Sequence, residues 1–463
     1  MSEIHAAGRR INSLLDANSF VEIGGRVTAR STDFNLSAVK ASSDGVITGY
    51  GTIDGNLVYV YSQDSSVLGG TIGEMHAKKI SRIYSLAAKC GAPVIGLVDC
   101  GGLRLEEASD ALDSLGRIYA KQALASGLIP QITGVFGSCG GGLTVLTALS
   151  DFTFMAAEGA HLFVNSPDAI KGKAPDESDT SSAEFHLAAG NVDVIGTEDA
   201  VIAEMRQLIS LLPLNNEDEG EAVLVTDDLN RATENLSATI GDAADTLRIL
   251  SDGGQFFEVK RGWACDMVTG FIRLGGYTVG AVANRGTTDA LDAGSAEKAA
   301  GFINFCDAFN IPVLTLANLS ALQACVRSER SLPKAGAALA SAYANATVPK
   351  VTVVTGKAYG TSYILMGSKS LGADMVFAWP DAQIGTMDAK MAAKILAAGK
   401  DADELKKTAE AYTALQQNVE SAAARGLVDT IIDEADTRKY VIGAFEMLYT
   451  KREDRPERKH GAI

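Results

Sequence analysis

Long apolar runs and a surplus of basic residues are both missing from this chain of 463 residues. No uncharged apolar run approaches the ~18–20 residues that cross a bilayer, and the start, Met-Ser-Glu-Ile-His, lacks the basic flank and apolar core of a signal peptide. Lysine and arginine number 41 against 57 acidic residues, which leaves a net charge of −16. This balance argues against binding to nucleic acid through a basic face. We therefore expect a cytoplasmic protein that binds no nucleic acid.

Close cysteine pairs and metal-spaced histidines are missing as well. The six cysteines form no C-x-x-C pair, which excludes a zinc ribbon and a framework of close disulfides, so we expect buried free thiols. None of the five histidines stands at metal-ligand spacing from another, and no metal site is predicted. Proline is scarce at 10, whereas glycine is abundant at 47. Abundant glycine in an ordered chain indicates tight turns and close approaches of the backbone.

An internal duplication is the most informative feature that is present. Four pairs of segments match in order: residues 48–55 with 269–276, 93–98 with 312–317, 129–135 with 348–354, and 151–156 with 374–379. The offset between the copies drifts only between 219 and 223 residues, so chance is a poor explanation.

Each copy alternates short β-branched runs with longer helical periodicities, including helices predicted over residues 73–89 and 295–309. This order is typical of the α/β class with largely buried sheets, and two copies predict two similar domains in tandem. A polar, acidic stretch at about residues 215–245 separates them. We place the domains at residues 1–225 and 226–463.

A glycine-containing turn joins a strand to a small-residue helix in each copy, at residues 137–142 and 356–361. Such a turn exposes backbone N–H groups, which suits a phosphate or a carbonyl oxygen that becomes an enolate. A phosphate loop is excluded because neither turn continues into Gly-Lys-Ser/Thr, and no dinucleotide fingerprint is present. An oxyanion hole remains, with a second donor supplied by residues 99–104 after the neighbouring strand. The alternative is that these glycines only permit close packing of helix and strand.

Side chains suited to acid-base chemistry are few. Glu106 and Glu107 follow Arg104 and are candidate acid-base carboxylates, although a solvated first helical turn explains them as well and is the interpretation that we favour. No Ser-His-Asp arrangement is evident from spacing. In an enzyme with this sequence, backbone amides would carry much of the catalysis.

Several long strings, in the same order along the chain, identify a family resemblance. They are residues 11–16 (INSLLD), 19–22 (SFVE), 44–51 (DGVITGYG), 69–79 (GGTIGEMHAKK), 305–312 (FCDAFNIP), 366–369 (MGSK) and 459–461 (KHG). With these strings the chain resembles the biotin-dependent acyl-CoA carboxyltransferases, of the β-subunit type that also serves sodium-pumping acyl-CoA decarboxylases. The resemblance covers nearly the whole chain and implies two tandem crotonase-like domains related by duplication.

The resemblance implies transfer of a carboxyl group between biotin and the α-carbon of an acyl-CoA thioester, in either direction. The acyl-CoA would lie in the N-terminal domain, its thioester oxygen held by the backbone of Gly102, Leu103, Gly140, Gly141 and Gly142. Biotin would lie in the C-terminal domain, its ureido oxygen held by Gly360, Thr361 and Ser362, with Gly356 and Tyr359 completing the pocket. Each donor is worth roughly 3–4 kcal/mol in the transition state.

The same resemblance implies partners. No Ala-Met-Lys-Met biotinylation sequence is present, so biotin arrives on another chain or domain. The expected partners are a biotin carboxyl carrier protein and either a biotin carboxylase or a membrane decarboxylase subunit. With a membrane decarboxylase subunit, the chain would be associated peripherally with a membrane complex. The resemblance also implies that the reaction takes place at the interface between two subunits. The chain is therefore expected to form a homo-oligomer, either a dimer or a trimer of dimers.

Three segments depart from the family pattern. Residues 100–104 are Cys-Gly-Gly-Leu-Arg instead of Ser-Gly-Gly-Ala-Arg, and residues 359–363 are Tyr-Gly-Thr-Ser-Tyr instead of Tyr-Gly-Gly-Ala-Tyr. Residues 318–322 replace Asp-Val-Pro-Gly-Phe by Asn-Leu-Ser-Ala-Leu near the expected biotin pocket. The two departures in the second half, at residues 318–322 and 361–362, support an alternative, a catalytically weakened paralogue that scaffolds the complex. A further alternative, a crotonase-type hydratase or isomerase using Glu106 or Glu107, conflicts with the duplication, because that chemistry needs one domain.

Overall fold

The computed structural model describes residues 5–30, 41, 43–171, 179–218, 220, 222–286 and 289–455. It divides into two compact units, Met1–Gly220 and Glu221–Ile463. The string Lys459-His460-Gly461 lies outside the described residues.

The first unit is built around one twisted sheet. Its strands are β1 (Val21–Glu22), β2 (Val46–Ile53), β3 (Asn56–Gln63), β4 (Val94–Cys100), β5 (Gln131–Gly140), β6 (Phe152–Ala156), β7 (His161–Phe163) and β8 (Val194–Gly196). The order is β1-β2-β3-β4-β5-β6-β8, with β7 paired to the end of β5. Pairing is parallel from β3 onwards. The apolar β4 and β5 are buried along most of their length, as expected for strands covered on both faces.

The helices of the first unit connect these strands. They are α1 (Ala6–Leu14), α2 (Glu74–Cys90), α3 (Ala108–Ala125), α4 (Leu143–Ala148), α5 (Pro167–Ile170), α6 (Ala183–Ala188) and α7 (Glu198–Leu211). The predicted helix over residues 73–89 is α2, which ends where Gly91 adopts a left-handed conformation (φ 61°) that glycine tolerates.

The second unit repeats the same topology. Its strands are β9 (Phe256–Val259), β10 (Met267–Leu274), β11 (Tyr277–Asn284), β12 (Ala290–Leu291), β13 (Val313–Leu319), β14 (Ala321–Leu322), β15 (Lys350–Tyr359), β16 (Met375–Ala378), β17 (Gln383–Gly385) and β18 (Thr430–Ile431). The main sheet runs β9-β10-β11-β13-β15-β16-β18, with β17 on the end of β15, and β12 pairs with β14 separately. This order matches the first unit strand for strand, so the predicted duplication and α/β class are confirmed.

The helices of the second unit are α8 (Ala243–Leu250), α9 (Ala293–Ala308), α10 (Val326–Asn345), α11 (Gly360–Leu365), α12 (Ala389–Leu396), α13 (Ala402–Tyr412), α14 (Val419–Ala424) and α15 (Thr437–Leu448). The predicted helix over residues 295–309 is α9, capped by Asp292, which accepts the Ser295 N–H at 2.7 Å. The sheet residues and the flanking α8 and α15 enclose one apolar core that includes Leu247, Val351 and Val441.

The cysteine prediction is half wrong. Cys100, Cys139 and Cys306 are buried free thiols, as expected, because they lie on core-facing strands or on a core-facing helix. Cys90, Cys265 and Cys325 are free but exposed, because they lie at a helix end or in a loop. Composition alone does not distinguish these two groups.

Candidate functional site

The first glycine turn lies where two neighbouring parallel strands end. In the register of β4 and β5, Cys100 stands opposite Cys139, after a bulge between Val98 and Cys100. The chain leaving β4 passes directly through Gly102 and Leu103, and the chain leaving β5 passes through Gly142 and Leu143. Because the strands are parallel, both segments emerge at the same edge of the sheet.

Backbone bonds to Ile72, a residue of the preceding loop, hold the segment after β4 on both sides of Leu103. The Ile72 N–H donates to the Gly102 carbonyl at 2.9 Å, and the Arg104 N–H donates to the Ile72 carbonyl at 3.0 Å. Leu103 lies between these two bonds, and its own N–H has no acceptor among the residues that the structure describes. Gly102 has a φ of 114°, which a residue with a side chain rarely adopts. The predicted donor pair Gly102 and Leu103 is therefore placed at the sheet edge, with Leu103 the open one.

The three predicted glycines after β5 have different environments. A Cβ on Gly140 would lie 2.5 Å from the Phe163 ring, so Gly140 permits packing. Gly141 has a φ of 62°, and its N–H donates to the Phe163 carbonyl at 2.8 Å. The expectation that Gly141 donates to a substrate is thus corrected, because its proton is already used. The N–H groups of Gly142 and Leu143 have no acceptor within the described part of the chain.

Leu143 is a candidate that the sequence analysis missed. The prediction favoured glycines because they have no side chain, whereas a backbone N–H is available from any residue except proline. The sequence did contain a signal for Leu143. The offset of 219 residues that pairs Gly142 with Thr361 also pairs Leu143 with Ser362, which was already predicted as a donor.

Arg104 anchors the segment after β4 through a buried ion cluster. Its guanidinium bonds Asp44 at 2.5 Å, Glu107 at 2.9 Å and the Thr71 carbonyl at 2.7 Å. The side chains of Arg104, Asp44 and Glu107 are 1%, 0% and 0% exposed. Glu107 also accepts the Glu74 N–H at 2.6 Å. Glu107 is therefore neither a free acid-base group nor solvated, and both expectations for it are wrong, whereas Glu106 is exposed.

The same cluster surrounds a buried histidine and keeps it uncharged. The buried His76 shares bonds with the Asp44 carbonyl at 2.9 Å and with Gln63 at 3.2 Å. Burial, reinforced by the positive charge of Arg104, lowers the pKa of His76 to about 3. Burial also raises the pKa of Cys100 to about 12 and raises that of Cys139 above its usual range. Around the first turn, then, the histidine is not a cation and the thiols are not nucleophiles at neutral pH.

The second unit contains a matching bulge between Ala317 and Leu319. Asn318 stands there, and its side-chain oxygen accepts the Lys357 N–H at 2.9 Å. The Asn284 side-chain amide holds the Asn318 backbone, since it accepts the Asn318 N–H at 2.8 Å and donates to the Asn318 carbonyl at 2.6 Å. A Cβ on Gly356 would lie 2.4 Å from the Asn318 oxygen, so only glycine fits beside this amide.

The second glycine turn presents the same backbone atoms as the first. Gly360 has a φ of 57°, and a Cβ there would lie 2.9 Å from the Thr386 carbonyl. The Thr361 side chain is exposed, while the Ser362 hydroxyl donates to the Tyr359 carbonyl at 2.7 Å. The N–H groups of Thr361 and Ser362 donate to no acceptor in the described residues. The Tyr359 hydroxyl donates to Gln383.

In the part of the chain that the structure describes, no group of three or more His, Cys, Asp or Glu side chains is placed to hold a metal ion. The described helices also include none that combines the length and the apolar character required to span a bilayer.

Comparison with known proteins decides the family. The carboxyl transferase domain model matches residues 5–463, nearly the whole chain. The chain belongs to the carboxyl transferase family. Its relatives include the propionyl-CoA carboxylase beta chain of Roseobacter denitrificans, 40% identical over 99% of this chain and 93% of the relative. The methylmalonyl-CoA decarboxylase subunit alpha of Veillonella parvula is also 40% identical, over 99% of this chain and 94% of the relative.

A solved structure of this family agrees with the fold. The transcarboxylase 12S subunit, crystallised as a hexamer with hydrolysed methylmalonyl-coenzyme A bound, superposes with a TM-score of 0.94 at 38% identity. The match covers 98% of this chain and 92% of that one. The predicted family, the two tandem crotonase-like domains and the carboxyltransferase class are thereby confirmed, and no comparison favours the scaffold alternative.

Proposed function

We propose that this chain is the carboxyltransferase subunit that moves a carboxyl group between biotin, carried on another chain, and the α-carbon of an acyl-CoA thioester. The observation that carries the proposal is the pair of equivalent turns. Each turn presents two adjacent N–H groups without a protein acceptor, at the edge where neighbouring parallel strands end. Two such donor sets suit a reaction that has two carbonyl-type oxygens to stabilise.

The first turn is assigned to the acyl-CoA. The N–H groups of Leu103, Gly142 and Leu143 would hold the thioester oxygen and stabilise the enolate that forms when the α-carbon loses its proton, or its carboxyl group in the reverse direction. Each donor can contribute roughly 3–4 kcal/mol to the transition state. Glu107 is paired and the nearby thiols stay protonated, so neither supplies a base at this turn.

The second turn is assigned to biotin. Its N–H groups at Thr361 and Ser362 are donors that fit a ureido oxygen, and Gly356 and Gly360 keep side chains out of the approach. The exposed Thr361 side chain leaves its N–H accessible, so this departure from the family pattern is compatible with binding. When bound, biotin would supply both the carboxyl carrier and the base.

The relatives suggest the substrate class and the assembly. Two relatives are named for propionyl-CoA and methylmalonyl-CoA, and the solved relative is a hexamer within a multienzyme core. We infer a short branched or unbranched acyl-CoA as substrate, a homo-oligomeric subunit, and a biotin carboxyl carrier protein as partner. The third component would be a biotin carboxylase or a membrane decarboxylase subunit, depending on the direction of the reaction.

The direct test incubates the purified chain with free biotin and methylmalonyl-CoA or malonyl-CoA and follows loss of the carboxylated thioester. Biotin-dependent decarboxylation is expected, with none in the absence of biotin. A chain that binds the thioester but stays inactive, even with its cognate carrier protein, would contradict the proposal and favour the scaffold alternative.

A further inference from the structure

Tyr119 on α3 contacts the first glycine turn directly. Its hydroxyl donates to the Gly142 carbonyl, which also accepts the Val145 N–H at 3.1 Å. A Cβ on Gly142 would lie 2.9 Å from the Tyr119 oxygen and 3.1 Å from Leu115. The helix α3 therefore packs against this turn closely enough to require glycine at 142.

Peptide geometry couples that carbonyl to the next N–H. The Gly142 carbonyl and the Leu143 N–H belong to one planar trans peptide unit, in which the two groups point in opposite directions. A hydroxyl that holds the carbonyl toward α3 consequently turns the Leu143 N–H away from α3. A hydrogen bond to the carbonyl also polarises the peptide and strengthens its N–H as a donor.

We propose that Tyr119 is a positioning residue of the first turn, whose hydroxyl orients and polarises the Gly142–Leu143 peptide so that the Leu143 N–H is presented to the thioester oxygen. This inference rests on the proposed function of the first turn, and it adds a side chain to a site otherwise built from backbone. Tyr119 itself contacts no substrate.

The two turns differ in this respect. Among the described residues, no side-chain hydroxyl donates to the Thr361 carbonyl at the equivalent place in the second unit. The tyrosine therefore acts on the acyl-CoA half of the reaction alone. Its removal should leave the binding of biotin unchanged.

The test replaces the hydroxyl and keeps the ring. In Tyr119→Phe, kcat for decarboxylation of methylmalonyl-CoA should fall roughly 10-fold, less than the loss expected for a deleted donor, since the Leu143 N–H remains but is less well held. KM for the thioester and for biotin should stay within about twofold. The matched control is Tyr59→Phe, which removes a hydroxyl bonded to Cys90 at 3.3 Å in the same unit, beside the opposite end of β4. The control should keep its kcat.

A binding measurement separates this inference from the proposed function. We would compare an acyl-CoA analogue whose nitronate mimics the enolate with a thioether analogue that has no carbonyl oxygen. Tyr119→Phe should weaken the nitronate by about the same roughly 10-fold factor and leave the thioether unchanged. If the wild-type chain does not turn over but shows this pattern, the positioning role stands and the proposed function falls. Equal weakening of both ligands, unchanged kcat, or no preference of the wild type for the nitronate would overturn the role of Tyr119.

Discussion

Replacing Arg104 by methionine should damage both the stability of the first unit and its activity. Methionine has a similar length but leaves Asp44 and Glu107 buried without their cation. Removing one partner of such a buried network costs about 3–5 kcal/mol, because the remaining charges lose their compensation. The Leu103 N–H, one residue before Arg104, should also lose its position. Loss of a donor of this kind lowers kcat roughly 100-fold or more.

The matched control is Arg438→Met in the second unit. Arg438 is 0% exposed and pairs with Asp252, so its loss should cost a comparable amount of stability. It bonds the Leu250 and Asp228 carbonyls beside α8, and none of its bonds among the described residues goes to a residue of either turn. Its kcat should therefore be unchanged at temperatures where the protein is folded.

The stability lost in Arg104→Met should depend on pH in a defined direction. Burial raises the pKa of Asp44 even though Arg104 opposes the shift, so removing Arg104 should raise that pKa further. The folded variant then binds more protons than its unfolded chain, and the stability lost by Arg104→Met should shrink as the pH falls. Urea unfolding at several pH values, compared with wild type at each pH, measures this difference, and turnover is measured in parallel. Wild-type stability in Arg104→Met, or full kcat in a destabilised variant, would refute the reasoning.

Three further predictions concern groups in both units. The contribution of His76 to stability should fall by about 2 kcal/mol between pH 7.5 and pH 5, because the unfolded chain protonates His76 near pH 6.5 while the folded chain does not; urea unfolding should show this as the difference between the pH profiles of wild type and His76→Gln. Gly356→Ala should lower stability by roughly 1–3 kcal/mol through its clash with the Asn318 amide, and Asn318→Ala should partly rescue it in thermal unfolding. Thr361→Pro, which deletes one donor N–H, should lower biotin-dependent turnover roughly 100-fold, whereas Thr361→Ala and Thr361→Gly should keep it; equal loss in all three would argue against the backbone role.

The fold was predictable because its signals are local or repeated. Short sequence patterns predict the apolar strands, the helices α2 and α9 and the two turns. The nearly constant offset between the copies then assigns each of these elements a partner in the other half. The ion cluster was not predictable, because Asp44 and Arg104 are 60 residues apart and only the tertiary structure joins them. For the same reason Glu107 was interpreted as solvated. The role of Tyr119 was not predictable either, because the sequence of a helix does not indicate which distant turn its tyrosine contacts.

The duplication also bears on the segment that departs most from the family pattern, residues 318–322. In the first unit Ile72 pairs with Leu103, and the Arg104 N–H bonds the Ile72 carbonyl at 3.0 Å. In the second unit the residues 219 positions later, Leu291 and Leu322, pair in β12 and β14, and the Gln323 N–H bonds the Leu291 carbonyl at 2.9 Å.

The second unit therefore keeps the geometry that leaves the Leu103 N–H open, although the Arg104 ion cluster has no counterpart at Gln323. Here the neighbouring backbone is held instead by the Asn284 and Asn318 amides and by the β12–β14 pair. We infer from this equivalence that the Leu322 N–H is a third donor of the proposed biotin site, beside Thr361 and Ser362. A backbone donor depends on the path of the chain and not on its side chains, so loss of the family's proline and glycine does not by itself remove this N–H. The departures in sequence are for this reason weak support for a purely structural subunit.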